Sequence, residues 1–207
     1  MIRTINDILR RIPVPVVWLA GALPFALLLW DSFTGGLGVD PVQAIEHRLG
    51  RTALYLLVAG LAVTPLLRLT GISLMRFRRA LGVLCFAYAL PHVLAWVVFD
   101  MGLLWSQMGQ DLLKRRYLLF GMVAFVLLLP LALSSNDFSM RRLGGLRWRR
   151  LHKLVYPLAV LVGLHWVWAV KVNEREPFFW LFVILAILGS RLVIRRRVAW
   201  GRVLGRV

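Results

Sequence analysis

The sequence predicts an all-α integral membrane bundle of about six transmembrane helices, with the N- and C-termini in the cytoplasm. Hydrophobic residues make up 60% of the chain and the mean hydropathy is +0.75, which does not suit a water-soluble surface. The apolar residues fall into six runs, each near the roughly 20 residues that a helix needs to cross a bilayer. Basic residues are concentrated in every second segment that flanks or connects these runs. We therefore treat residues 1–207 as a single membrane domain.

The predicted transmembrane helices cover residues 13–30, 50–69, 80–99, 117–133, 151–170 and 177–194. Arg3, Arg10 and Arg11 precede the first run, so the N-terminus resembles a signal peptide. However, the small-residue motif Ala20-Gly21-Ala22 lies in the middle of the apolar run rather than after it. We therefore expect the first helix to be retained in the mature protein.

The distribution of charge predicts the orientation in the membrane. Alternate connecting segments hold most of the 26 Lys and Arg residues, whereas most of the 9 acidic residues lie in the other segments. The basic segments are 1–12, 68–79, 134–153 and 191–207. By the positive-inside rule these segments are cytoplasmic, which predicts a multi-pass protein of the bacterial inner membrane. The outer segments 31–49, 100–116 and 171–176 are then the surfaces exposed to the periplasm.

The net charge of +17 does not indicate nucleic-acid binding, because the basic residues follow this topology. Clusters of Arg occur at 76–79, 147–150 and 195–197, each at a predicted cytoplasmic helix end. Topology and contact with anionic membrane lipid account for them. Contacts with a cytoplasmic partner or with haem propionates are the alternative.

His92 and His165 are predicted to lie at one depth in the membrane. His92 follows Arg79 by 13 residues and His165 follows His152 by 13 residues, so both lie about 20 Å above the cytoplasmic edge. Imidazoles at one depth on two helices suit the two faces of a haem iron. The sequence therefore predicts bis-histidine ligation of haem b, with simple hydrogen bonding of both rings to backbone carbonyls as the alternative. Cys85 is the single cysteine and no CxxCH motif is present, so the haem would be bound non-covalently.

The other two histidines are weaker candidates. His152 begins the fifth predicted helix and is a candidate ligand of a second haem iron nearer the cytoplasm; an interfacial position near lipid headgroups is the alternative. His47 precedes the second predicted helix, beside Glu46 and Arg48. It is a candidate to cover the outer haem or orient a propionate, and an exposed interfacial residue is again the alternative.

Two other classes of function remain open at this point. A stand-alone transmembrane ferric or oxygen reductase would use the same histidines without a periplasmic partner. A metal-ion transporter would use them to bind the transported ion. The predicted helix centres contain no Asp or Glu, which argues against a transporter.

The sequence resembles the MsrQ (YedZ) family, the haem-binding membrane subunits of the periplasmic protein-methionine-sulfoxide reductase system, within the ferric-reductase-like transmembrane superfamily. The resemblance spans nearly the whole chain. It is carried by residues 35–41 (GGLGVDP), 46–54 (EHRLGRTAL), 64–65 (TP), 78–82 (RRALG) and 148–156 (WRRLHKLVY), with His92 and His165.

The resemblance implies an electron-transfer subunit of a two-component oxidoreductase rather than its catalytic subunit. It implies haem b, one or two per chain, held by His92, His165 and His152, with flavin mononucleotide (FMN) as a further expected cofactor. The expected electron donor is the quinone pool or a cytoplasmic flavin reductase. The expected partner is a periplasmic molybdopterin-containing methionine sulfoxide reductase that repairs oxidised periplasmic proteins.

Overall fold

The computed structural model describes residues 1–170 and 174–204, with side chains described up to residue 193. Within these residues every regular element is a helix, and six segments are long and apolar enough to cross a membrane. The predicted fold class is therefore confirmed. Part of the expected outer segment 171–176 and the last residues of the predicted C-terminal segment lie outside the described residues.

The N-terminal part of the chain contains a short helix and two of the membrane helices. Helix α1 spans Ile2–Arg11, α2 spans Val14–Thr34 and α3 spans Pro41–Thr70. The side chain of Asp40 accepts a hydrogen bond from the Gln43 amide and Pro41 is the first helical residue, so α3 starts there. Gly71 ends α3 in the left-handed conformation, with φ 77°.

The third membrane segment is built from three kinds of helix. A 3₁₀ turn at Met75–Phe77 leads into α4, Arg78–Ala95, and a π-helical turn at Trp96–Asp100 follows. A short helix α5, Trp105–Lys114, then lies in the predicted outer loop 100–116. Met108 of α5 packs against Trp96, so α5 covers this end of the bundle.

The C-terminal half begins with α6, Arg116–Leu133, which matches the predicted fourth helix. Helix α7, Asp137–Leu151, follows where a loop was expected, and Asn136 caps it by accepting a hydrogen bond from the Ser139 amide. A 3₁₀ turn at His152–Leu154 separates α7 from α8, Val155–Ala169. Helix α9 spans Glu176–Leu204.

Helices α3, α4, α6 and α8 form the centre of the bundle. The most extensive contacts are between α3 and α4 and between α6 and α8, while α9 packs against α8 and α3. The central core contains Leu54, Leu57, Val58, Leu61, Cys85, Ala124, Leu128, Leu158, Ala159 and Ile184. By contrast, Leu28 is the one buried residue of α2, whose remaining apolar side chains are available to lipid.

The predicted starts of the second and fifth helices are wrong. The second helix begins at Pro41 rather than 50, so His47 and Glu46 lie inside α3 instead of preceding it. The predicted end of the third helix at 99 agrees with the structure, because the π-helical turn continues α4 to Asp100. The fifth begins its α-helix at Val155, which leaves His152 in a 3₁₀ turn between two helices rather than on one straight helix with His165.

Candidate functional site

A cavity of about 420 Å³ lies between the four central helices, in the size range of ligand sites. Its wall is mainly apolar towards the middle of the helices, where Leu57, Cys85, Leu128 and Leu158 contribute. Towards the Pro41 end of α3 the lining residues are polar and include Gln43, Glu46, His47, Arg51 and Glu174. The cavity is thus apolar at one end and charged at the other.

His92 and His165 face each other across this cavity, as their matched depth predicts. The centres of the two imidazole rings are 6.3 Å apart and the ring planes are inclined at 78°. His92 projects from α4 and His165 from α8, so each side of the bundle supplies one ring.

Each imidazole is oriented by a backbone carbonyl of the helix packed against it. Nδ1 of His92 lies 2.9 Å from the Glu46 carbonyl oxygen, and Nδ1 of His165 lies 2.7 Å from that of Tyr117. Because a carbonyl only accepts, both Nδ1 atoms carry the proton and donate. Both Nε2 atoms are therefore unprotonated and free to bind a metal, the arrangement in which a hydrogen bond to one nitrogen orients the other.

A glycine one turn beyond each carbonyl makes room for the ring. A Cβ at position 50 would lie 3.1 Å from Cε1 of His92, and one at position 121 would lie 2.7 Å from Nδ1 of His165. Both distances are too short for a side chain without displacement of the imidazole. Gly50 and Gly121 therefore leave the space in which each ring reaches the carbonyl of the neighbouring helix.

These features fit a haem held between the two histidines. His92 and His165 would hold its iron from opposite sides, each through its unprotonated Nε2 atom, across the 6.3 Å that separates the ring centres. The apolar lining suits the porphyrin, and the free Nε2 atoms suit its iron.

His152 lies apart from this pair. Its Nδ1 is 3.1 Å from the Trp148 carbonyl oxygen, its Nε2 is 3.4 Å from the Ser135 hydroxyl, and its ring stacks on Trp148 at 3.8 Å. The residues that line the cavity do not include it. Ligation of a second haem iron by His152 stays a prediction, and it requires the contact with Ser135 to be exchanged for the metal.

His47 is exposed and lines the cavity at its polar end, one turn before Arg51. Its role as a cover of the haem or a contact of a propionate stays a prediction. Within the described residues, no group of three or more His, Cys, Asp and Glu side chains is arranged to hold a metal ion.

The sequence interpretation missed the residues that orient the histidines. Glu46 and Tyr117 act through carbonyl oxygens, which any residue provides, so their identities carry no signal. Gly50 and Gly121 are detectable in principle as helical glycines four residues after these positions. Their significance depends on which helices pair, and the sequence does not give that pairing.

The fold and the paired histidines define a multi-pass helical membrane protein in which two imidazoles face each other across a central cavity. Residues 49–163 match the family model described as ferric reductase like transmembrane component. The chain is also similar to three proteins named protein-methionine-sulfoxide reductase heme-binding subunit MsrQ. That of Agrobacterium fabrum is 44% identical, covering 89% of this chain and 86% of the relative. That of Rhizobium meliloti is 39% identical, covering 97% and 94%, and that of Xanthomonas axonopodis is 43% identical, covering 86% and 84%.

The chain therefore belongs to the MsrQ family of the ferric-reductase-like transmembrane proteins. It is a multi-pass membrane protein, and its bacterial relatives place it in the inner membrane. No solved structure matches the chain.

Proposed function

We propose that this chain is the haem b-binding membrane subunit of a protein-methionine-sulfoxide reductase and that His92 and His165 are the axial ligands of its haem. The proposal rests on the two imidazoles, whose ring centres are 6.3 Å apart. In each ring Nδ1 is hydrogen-bonded to a backbone carbonyl and Nε2 is free. The names of the relatives support the cofactor and the reductase system.

When bound, haem b supplies a one-electron carrier, and axial imidazoles on both faces favour electron transfer over oxygen binding. The chain contributes position and environment. Glu46 and Tyr117 fix the ring tautomers, and the apolar wall around Leu57 and Leu128 limits access of water.

For the rest of the pathway we propose that electrons enter from quinol or a cytoplasmic flavin reductase and leave to a periplasmic catalytic subunit containing molybdopterin. The basic segments are then cytoplasmic, as are the termini, and the cavity's polar end faces the periplasm. FMN remains a proposed additional cofactor. The catalytic subunit would carry out the repair of oxidised methionine, so this chain would act as the electron relay.

The test is the visible spectrum of the purified full-length protein, oxidised and dithionite-reduced. We expect a sharp low-spin b-type spectrum that His92→Ala and His165→Ala each abolish while the variants remain in the membrane. His47→Ala is the comparison: this exposed histidine lines the cavity as a candidate propionate contact, and loss of such a contact should leave the low-spin spectrum in place because the iron keeps both imidazoles. A full bis-histidine spectrum in either ligand variant would overturn the assignment.

The number of haems is measured with a pyridine haemochrome assay. A value near one haem per chain leaves His152 without a haem. A value near two that falls to one in His152→Ala establishes it as a ligand of the second iron. Steady reduction of an external ferric chelate without any partner would instead favour the stand-alone ferric reductase.

A further inference from the structure

The charged end of the cavity differs from the rest of its wall, and the proposed haem has a matching asymmetry. Haem carries two propionate carboxylates on one edge and apolar methyl and vinyl groups on the opposite edge. Along α3, Gln43 and His47 lie before Gly50, while Leu54 and Leu57 lie after it. The polarity of the wall therefore favours propionates at the Pro41 end.

Among the described residues that line the cavity, Arg51 is the one Lys or Arg, and it lies at this end. It follows Gly50, which faces His92, and its guanidinium lies over the ring of Trp166, 5.5 Å from the ring centre. Trp166 in turn follows His165. Arg51 thus reaches from α3, which carries Gly50, to α8, which carries His165.

The present ion pair of Arg51 leaves hydrogen-bonding capacity unused. Its Nη2 atom is 3.6 Å from Oε2 of Glu176, and the other oxygen of that carboxylate is 3.2 Å from the Tyr55 hydroxyl. A guanidinium has five N–H donors in a planar fork that matches a carboxylate, and stacking on an aromatic ring leaves those edges available.

Two acidic residues, Glu46 and Glu174, also line the cavity. One carboxylate oxygen of Glu46 is buried without a hydrogen-bond partner among the described residues. Two further carboxylates brought into this region need a compensating cation. Arg51 is placed to provide it.

We propose that Arg51 binds a haem propionate and thereby fixes the rotational orientation of the haem, with the propionate edge at the Pro41 end of α3. The inference rests on the proposed haem function. It assigns to Arg51 a role in binding the cofactor, separate from iron ligation by the histidines.

Arg48 is a matched control on the same helix. Its side chain is 44% exposed, against 42% for Arg51. Arg48 forms an ion pair with Asp31, and the residues that line the cavity do not include it. Replacing either arginine removes one positive charge from nearly the same part of the molecule.

The experiment measures the rate at which the full-length, haem-loaded protein in detergent releases haem to excess apomyoglobin. We expect Arg51→Gln to release haem about tenfold faster, as loss of a charge-assisted hydrogen bond requires. Arg51→Lys should fall between wild type and Arg51→Gln, and Arg48→Gln should match wild type. The midpoint potential should also fall in Arg51→Gln, because a nearby cation stabilises the reduced haem.

Haem dimethyl ester separates propionate binding from a structural role, since both carboxylates are then neutral. With this probe we expect wild type and Arg51→Gln to release the ligand at equal rates. Equal rates with unmodified haem would overturn the inference, and so would an Arg51→Gln effect that persists with the ester. A wild-type protein that takes up no low-spin haem would instead overturn the proposed function itself.

Discussion

Gly121 lies directly against the imidazole of His165, across the contact between α6 and α8. A Cβ at position 121 would lie 2.7 Å from Nδ1, the atom that donates to the Tyr117 carbonyl. Gly50 and His92 repeat this relationship across α3 and α4. Each helix pair therefore combines a carbonyl, a glycine one turn later, and a histidine from the neighbouring helix.

This relationship predicts the effect of Gly121→Ala. The added methyl group must displace the His165 ring and weaken its bond to Tyr117, so we expect haem affinity to fall by about tenfold or more. Titration of the haem-free protein with haem measures it. Gly50→Ala should have a smaller effect because its closest approach to the ring is 3.1 Å.

Gly82→Ala is the control for helix propensity. Gly82 lies in α4, and a Cβ there would have nothing within 4 Å. This variant should bind haem with wild-type affinity. The positioning role of Gly121 is wrong if Gly121→Ala also retains wild-type affinity and an unchanged low-spin spectrum.

Tyr88 of α4 attaches α2 to the rest of the bundle through its hydroxyl group. Its hydroxyl donates to the Gly21 carbonyl at 2.5 Å and accepts from the Phe25 amide at 3.0 Å, so it joins α4 to two backbone groups of α2. Tyr88→Phe removes both bonds, and although the Phe25 amide can still donate to the Gly21 carbonyl within α2, the polar link between α4 and α2 is lost. We expect a loss of about 1 kcal/mol of stability, measured by unfolding in detergent.

Tyr55→Phe provides the comparison for Tyr88→Phe. The Tyr55 hydroxyl lies 3.2 Å from the Glu176 carboxylate in an exposed contact, so its loss should cost less. An equal loss of stability in both variants would contradict the importance we give to the backbone contacts of Tyr88.

The side chain of Asn6 connects α1 to the residues that follow α3. Its side chain donates to the Gly71 carbonyl at 3.0 Å and accepts from the Ser73 amide at 2.9 Å. Asn6→Ala should release α1, with hydrogen exchange across residues 2–11 becoming about fivefold faster if roughly 1 kcal/mol is lost. Asp7→Ala is the control, because the exposed Asp7 carboxylate lies 4.0 Å from Arg10. Unchanged exchange in Asn6→Ala would show that other contacts hold α1.

The sequence predicted the membrane helices and the histidine pair well, because both depend on simple periodic quantities. Long apolar runs must be helical in lipid, where each backbone group needs an internal partner. The matched depth of His92 and His165 follows from a constant rise per residue. The structure contains six apolar helices of membrane-spanning length and brings the two imidazole rings to 6.3 Å, while their ligation of haem stays a prediction.

The helices outside the bilayer core were missed because hydropathy does not detect them. Helices α1, α5 and α7 contain charged residues, and α7 has no buried residue. The start of α3 was detectable, since Asp40-Pro41 is a typical N-cap followed by proline at the first helical position. A helix that starts at this N-cap contains His47.

Arg191 of α9 and Pro65 of α3 both bear on the Leu61 carbonyl, a relationship that hydropathy does not reveal. Its guanidinium donates to the Leu61 carbonyl, and its Nη1 is 3.1 Å from the Tyr156 hydroxyl. In a regular helix the Leu61 carbonyl would accept from the amide of residue 65, but Pro65 has no N–H. An arginine of α9 thus satisfies a carbonyl that a proline of α3 leaves without its usual partner.

Replacing Arg191 by Leu should therefore cost about 1–3 kcal/mol of stability, the range for an unsatisfied buried polar group. The cost should be smaller in a Pro65→Ala background, because the amide at position 65 can then donate to the Leu61 carbonyl. A double-mutant cycle measured by unfolding in detergent isolates this coupling. Tyr156→Phe removes the other contact of Arg191 and should show no such dependence on position 65. If Arg191→Leu costs the same in both backgrounds, the carbonyl of Leu61 is not what Arg191 stabilises, and its contact with Tyr156 becomes the better explanation of its place in the bundle.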